Sequence, residues 1–482
     1  MHINHAVEMN HSQLNDDDKA FILTQLEAKV PFDTILDGIQ ESVWNPGEVT
    51  RLHLTTKKDL HNLMQEFSLS FTERRSQNDR ESVQIIIDQH EDKFGKTSPF
   101  KFYKSQGSPG PDGTEKEDMI LIIMTPFGIE MLKKFGSNII SIDGTHGTNG
   151  YDFTLTTLMV VDDYYMGIPV AFCISNRERA GVFSIFFNEC GKINAKVFMS
   201  DDFPAYNKEW TKVMGEVQHT LLCTWHVDKN FRKNLTLVNG TVELKSQVYK
   251  CIRTLLQETS QEVFYELLPK AIDQLLNNEN TKRFGQYFIK EYASRHAMWS
   301  YAFRTGCGIN TNMKLEAMHR VLKDIYMKGL KGKRLDTLIA ILLKMSQRSL
   351  FKRLTQLMME KDTHTLRSIR ERHSKGKSLA NAENVCSLID GSFTVNSESN
   401  STLKYSVTIS KKDPCNCKLI CPSCNVCLHK YSCSCTDYTI SSQFCKHIHA
   451  VCIFALQNKN NYHLDSENDA CTKGTARKNT DK

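Results

Sequence analysis

The chain has 482 residues, 40% of them hydrophobic and 24% charged, which is ordinary for globular protein and too long for one core, so about two to four domains are expected. The formal net charge of +6 permits nucleic-acid binding without demanding it. No run of some eighteen apolar residues occurs and the N-terminal stretch lacks a signal-peptide segment. Together these exclude a helical membrane protein and lead to the expectation of a soluble, intracellular chain whose 16 cysteines are reduced.

In chain order, residues 1–15 are expected to be disordered and 16–95 to form a helical N-terminal region. "DDDKAFILTQLEAKVPFDTILDGIQES" reads as two short helices, with acids at the first N-terminus and Pro31 opening the second. That is the skeleton of a helix-turn-helix, or of any small helical hairpin. A Gly/Pro/Ser-rich junction follows near 105–115. Residues 119–236 then alternate in α/β fashion. "MILIIMT" is a strand and "TPFGIEMLKKFG" a helix closed by glycine. "NIISIDG", "FTLTTLMVVDD" and "GIPVAFCISN" are three strands joined by hairpin-like turns. "RAGVFSIFFNECGKI" is a helix, "AKVFMSDD" a fourth strand, "PAYNKEWTKVMG" a helix and "QHTLLCTWHV" a fifth strand. Residues 237–304 are helical, "INTNMKLEAMHRVLKDIY" is an amphipathic helix behind an Asn-rich cap, and 346–391 is a helical linker. Residues 392–413 look β-like, and 458–482 are expected to form a polar, disordered tail.

Three antiparallel strands followed by alternating helices and parallel strands is the element order of a ribonuclease-H-like core. The fold class expected is therefore α/β: a mixed five-stranded sheet with a helical insertion, a helical N-terminal region and a small C-terminal zinc-binding module. Phosphodiester chemistry on such a core needs divalent cations held by carboxylates from different elements. Asp143 ends the first strand of the meander, Asp201 ends the fourth, and Glu316 lies on the "LEAMHRVLK" helix. Taken singly, each has a bland reading, as a turn residue or a solvated helix face. Asp202 competes with Asp201, and Glu279 and Glu291 compete with Glu316.

"SIDGTHGTNGYDFTLTTLMVVDD", "GIPVAFCISNRE", "VFMSDDFPAYNKEW", "LLCTWHVDKNFRKNL" and "TNMKLEAMHRVLK" together resemble the transposase domain of Mutator-like elements, over residues 115–345. The resemblance implies a DDE-type ribonuclease-H-like domain with Asp143, Asp201 and Glu316 as its acids and Mg²⁺ or Mn²⁺ as catalytic cofactor. It further implies double-stranded DNA as partner, a nuclear location, and a homo-oligomer that joins two DNA ends. It also matches a Cys/His pair, Cys223 and His226. Two ligands do not make a zinc site, so a packed thiol and a metal role both stay open. Trp225 between them reads as core, and His146 as a hydrogen-bonded turn residue.

Nine of the cysteines fall between Cys415 and Cys452, and in a reduced chain such clustering reads as zinc binding. Cys433-x-Cys435 followed by Cys445-x-His447 supplies four ligands for tetrahedral zinc, with His449 and Cys452 left over. The pattern is similar to the SWIM zinc finger, which places the module at 392–457. Upstream, Cys415, Cys417, Cys421, Cys424, Cys427 and His429 are six candidates for a second zinc site, more than one tetrahedral site takes, and Cys421, Cys424 and Cys427 with Cys415 are the expected set. Lys229, Arg232, Lys233, Arg320, Lys323, Lys328, Lys331, Lys333 and Arg334 could neutralise phosphates or simply be solvated. The rival functions are a domesticated, non-catalytic DNA-binding regulator and a protein-interaction adaptor acting through the zinc module.

Overall fold

A computed structural model describes residues 13–28, 30–43, 49–67, 74–359, 363–400, 402–410, 418–427, 429–441 and 443–471. The chain divides into two compact units, Met1–Asp88 with Arg334–Ala340, and Gln89–Lys333 with Ile341–Lys482.

In the first unit, α1 (Asp16–Glu27), α2 (Phe32–Glu41) and α3 (Lys57–Glu66) close around Ile22, Leu26, Ile35, Ile39, Leu60 and Leu63. The side chain of Asn15 accepts the Asp18 N–H at 2.7 Å, and the acids behind it favour the helix N-terminus. Helix α4 (Asp79–Phe94) begins at a buried aspartate. The Asp79 carboxylate accepts the backbone N–H groups of Leu335 and Asp336, which ties 334–340 to this unit.

The second unit is built on a seven-stranded sheet. Strands β1 (Phe100–Lys104) and β2 (Ile120–Ile123) precede α5 (Pro126–Phe135), which is capped by the Thr125 side chain and opens on Pro126, as the local sequence favours. Next come β3 (Ile139–Thr145), β4 (Thr154–Val161), β5 (Gly167–Ser175), α6 (Ala180–Glu189), β6 (Val197–Ser200), α7 (Pro204–Met214) and β7 (His219–Leu222). The sheet order is β1-β2-β5-β4-β3-β6-β7. β3 is antiparallel to β4 and parallel to β6, and β6 is parallel to β7. From β5 to β7 this is the ribonuclease-H-like topology. The sheet has seven strands where five were expected, because β1 and β2 extend it beyond β5. Every residue of β4 is buried, as befits a strand with both faces covered.

One face of the sheet packs on an aromatic core of Phe183, Phe186, Phe187, Phe198 and Trp210. Trp210 lies 4.3 Å, centroid to centroid, from Phe198 and meets Phe187 edge-on. Trp210→Ala is expected to destabilise this unit by about 3–5 kcal/mol, read as a lower denaturation midpoint by far-UV circular dichroism.

The apolar run "LLCTWHV" does not continue as strand. β7 stops at Leu222, and α8 (Thr224–Asn234) starts behind Cys223 as its N-cap. A helical insertion follows: α9 (Val242–Gln257), α10 (Gln261–Leu276), α11 (Lys282–Glu291) and α12 (His296–Trp299), packed around Phe231, Phe264, Phe288, Tyr292 and Trp299. Its end is pinned by the buried Arg304, whose guanidinium donates to the carbonyls of Leu222 and Asn310. Helix α13 (Met313–Val321) continues into a π-helical turn at Leu322–Tyr326. The long α14 (Leu335–Met358) and α15 (His364–Lys377) complete the helices before the C-terminal module.

That module holds β8 (Val385–Ser387), β9 (Phe393–Asn396), β10 (Lys404–Ile409), β11 (Ile420–Cys421), β12 (Val426–Cys427), β13 (Tyr431–Cys433), α16 (Thr436–Ser441) and α17 (Lys446–Cys471). Four of its strands form a sheet in the order β13-β10-β9-β8. α17 extends to Cys471, through part of the expected polar tail, and residues 1–12 and 472–482 lie outside the described residues. Among the described residues, no helix is long and apolar enough to cross a membrane.

Candidate functional site

Asp143 does not end its strand. β3 runs on to Thr145, and Asp143 pairs across to Thr157 of β4. The last parallel pair of β3 with β6 is Ser141 opposite Met199. Continued by two residues, that register sets Asp143 opposite Asp201, just past the end of β6. The third acid arrives from the helical side. Asn312, the N-cap of α13, donates its side-chain amide to the Ile142 carbonyl at 3.1 Å and its backbone N–H to the Cys223 sulfur at 3.3 Å. This docks α13 beside β3, with Glu316 in its first turn.

The electrostatics record the convergence. Burial, followed by the charges of Asp201 and Glu316, pushes the Asp143 carboxyl up to about 8. Burial pushes Asp201 up to about 6, with the charges of Glu178 and Asp202 adding to the effect. Burial also raises Glu316. Buried carboxylates that repel one another favour either a proton or a cation among them. An all-oxygen donor set of this kind suits a hard divalent ion.

The competing acids are placed elsewhere. Asp202 forms an ion pair with Arg295 at 2.7 Å and accepts the Tyr292 hydroxyl, which fixes the insertion to the core. Glu279 pairs with Lys282 and Glu291 with Lys290. Two further side chains at the site carried no recognisable spacing in the sequence. Buried His319 sets Nδ1 3.6 Å from Asp143 and Nε2 3.2 Å from the Thr157 hydroxyl, and burial lowers it to about 4, so it is neutral near pH 7. Glu178, beside β5, is a fourth acid. Its Oε1 lies 3.3 Å from where a Cβ on Gly144 would stand, and the Tyr206 hydroxyl lies 3.0 Å from that point, which leaves little room for a side chain at Gly144.

Of the predicted basic residues, Lys229, Arg320 and Lys323 lie close enough to act on the charges of Glu316 or Asp143. Arg232 pairs with Asp228, and Arg334 with Asp336 and Asp79. Trp225 is 42% exposed with the Lys229 ammonium 5.0 Å from its ring centroid, which corrects its reading as core. The cause is the early end of β7, since a residue in the first turn of α8 faces solvent where a strand residue would have faced the sheet. His146 is exposed and approaches the Thr154 hydroxyl at 3.4 Å.

Residues 139–230 match the family model of the MULE transposase domain. The chain carries a MULE transposase domain. The matched span of the transposase domain holds Asp143, Asp201, Cys223 and His226 and ends before Glu316. No curated protein matches the chain at a significant level.

The C-terminal cysteines form two buried clusters. Cys433, Cys435, Cys445 and His447 make one, with all ligand atoms within 4.8 Å of one another. The second joins Cys421 and Cys424 to His373 and His449, with the Cys424 sulfur 3.1 Å from His373 Nδ1 and 3.4 Å from His449 Nδ1. It therefore differs from the expected second set. Cys427 is not part of the group, Cys415 lies outside the described residues, and α15 and α17 supply histidines instead. His449 is not surplus, because His447 and His449, two residues apart in the first turn of α17, point to different clusters. Gly376 permits this, since a Cβ there would stand 2.7 Å from His449 Cβ and 2.8 Å from the Lys446 carbonyl.

The donor sets are Cys₃His and Cys₂His₂, both common for structural zinc, and tetrahedral bonds of about 2.0–2.3 Å give ligand spacings of about 3.3–3.8 Å. Nε2 of His447 and of His449 is buried without a hydrogen-bond partner. The neighbouring Cys424 thiol and burial push Cys421 up to about 12, as expected for thiols crowded around a cation's place. The residues fit zinc, and the clusters over 421–449, joined by His373, are consistent with a zinc-binding module.

Proposed function

We propose that the transposase domain is a DDE-type polynucleotidyl transferase that cleaves and joins strands of double-stranded DNA with Asp143, Asp201 and Glu316. The observation that carries this reading is the parallel register of β3 with β6, which continued past its last pair sets Asp143 opposite Asp201, together with the docking of α13, which carries Glu316, beside β3. Two Mg²⁺ or Mn²⁺ ions, when bound, would activate water or a 3′-hydroxyl and stabilise the leaving oxygen. The three carboxylates would supply the oxygen ligands that hold those ions. His319, neutral and anchored on Thr157, would keep Asp143 in one orientation. Lys229, Arg320 and Lys323 would face the phosphates around the scissile bond, and Trp225 offers an exposed ring for a base to stack on.

The Cys433/Cys435/Cys445/His447 cluster, with its Cys-x-Cys and Cys-x-His pairs, supports a SWIM-type zinc finger. The helical pair α1–α2 is a second candidate for DNA contact. Work on DNA implies a nuclear protein that pairs with a second copy to bring two ends together. The rival reading, a non-catalytic regulator, is disfavoured by the intact and convergent acids. The test is Mg²⁺-dependent nicking or strand transfer by the full chain on duplex DNA. Asp201→Asn should abolish it while leaving DNA retention in a gel-shift assay intact, and an Asp201→Asn protein that keeps the wild-type rate overturns the assignment.

A further inference from the structure

Cys223, His226 and Glu316 form a third cluster of donors, outside the C-terminal module. The Cys223 sulfur, an imidazole nitrogen of His226 and a carboxylate oxygen of Glu316 all lie within 4.8 Å of one another, and His226 Nε2 is 3.9 Å from Glu316 Oε1. The fold builds this group from two directions. Cys223 caps α8, so Cys-x-x-His occupies the first helical turn and turns both side chains the same way. Glu316 arrives on α13, some ninety residues later, through the Asn312 anchor that also bonds the Cys223 sulfur.

Three features fit a ligand rather than a packed thiol. Cys223 is fully buried and burial holds its thiol above the ordinary range, while backbone N–H groups of Asn312, His226 and Trp225 point at its sulfur and offset part of that shift; such donors would support the sulfur as a ligand once a cation is bound. Nδ1 of His226 and Oε1 of Glu316 are buried atoms with no hydrogen-bond partner. The mixed sulfur, nitrogen and oxygen set suits a borderline transition ion and not Mg²⁺.

We propose that Cys223, His226 and Glu316 bind Zn²⁺ in a three-ligand site whose fourth position is open to water or a phosphate oxygen, the arrangement that zinc adopts where it touches substrate rather than merely holding a fold. A carboxylate has two oxygens, so Glu316 can serve this ion and the pair Asp143/Asp201 together. The zinc site stands whether or not the three acids cleave DNA.

The experiment counts zinc in the gel-filtered full chain and records the thiolate-to-metal charge-transfer band after Co²⁺ substitution. About three zinc ions per chain are expected, falling to about two in Cys223→Ser and in His226→Gln, with the C-terminal sites retained. Cys424→Ser and Cys435→Ser report the two C-terminal sites, which should be lost together and leave the third ion in place. Glu316→Gln should weaken the third site by at least about tenfold, whereas Asp143→Asn should leave the zinc count unchanged even as it removes cleavage. Should Cys223→Ser not fold, His226→Gln carries the same reading. Two zinc ions in the wild-type chain, unchanged by His226→Gln, overturn the proposal.

Discussion

Removing zinc from the full chain with a strong chelator is expected to unfold the C-terminal module while the α/β sheet stays folded. The module's apolar core is small, and much of it is cysteine: Cys421, Cys424, Cys433, Cys435, Cys445 and Cys452 stand among Val395, Val407, Leu419, Phe444, Ile448 and Val451. A core of that size supplies no more than a few kcal/mol, whereas structural zinc contributes about 10–16 kcal/mol of apparent folding free energy per site near pH 7. The two clusters share α17 through His447 and His449, so loss of either ion should loosen the other's ligands. Cys435→Ser and His373→Ala are each expected to expose residues 385–457 to protease and to lower zinc content by more than one site. A module that resists protease after complete chelation would show that its packing, and not the metal, holds it.

The strands were legible where apolar runs met turn chemistry: β3 to β6 lie within or overlap "NIISIDG", "FTLTTLMVVDD", "GIPVAFCISN" and "AKVFMSDD", with β4 and β6 ending before their terminal acids. The fifth strand was read too long, because an apolar run does not reveal that Cys223 caps a helix, and Trp225 was misplaced with it. That Asp143 and Asp201 fall on or just past neighbouring strands was legible from the element order, but Asp143 lies inside β3 and not at its end. Asp202 was set aside only by its partner, Arg295, which lies 93 residues away. The Cys433 to His447 cluster was legible because its ligands are close in sequence. The second cluster was half legible. Cys421 and Cys424 stand in a recognisable pair, but His373 sits on a helix read as a linker, and only the packing of α15 on α17 brings it near. The grouping of Glu316 with Cys223 and His226 depends in the same way on the path of the insertion.

Asp143→Asn is expected to make the metal-free chain more stable and to abolish the proposed strand cleavage. In the folded chain the Asp143 carboxyl is pushed up to about 8 from its ordinary 3.8. Between those values the folded state holds a proton that the unfolded state has released, so the group's contribution to stability falls as pH rises from about 4 to about 8 and levels off beyond. Near pH 7.5 the penalty amounts to a few kcal/mol, and asparagine, uncharged at every pH, removes it. The metal-free variant should therefore melt several degrees above wild type at that pH and lose the advantage near pH 4. If the three acids hold Mg²⁺ as proposed, the ion should raise the wild-type Tm, increasingly so as pH rises from about 6 to about 8, because it would replace the proton among Asp143, Asp201 and Glu316 in the folded state alone. The variant should gain little from Mg²⁺. Cleavage should fall at least about a hundredfold, since a lost metal ligand removes several kcal/mol of transition-state stabilisation and each ~1.4 kcal/mol is a factor of ten. Thermal melts of both proteins across pH, with and without Mg²⁺, separate the outcomes. Equal Mg²⁺ shifts in the two would mean that Asp143 does not face a shared cation, and a metal-free variant that melts below wild type at pH 7.5 would mean that its carboxyl is not held against its neighbours.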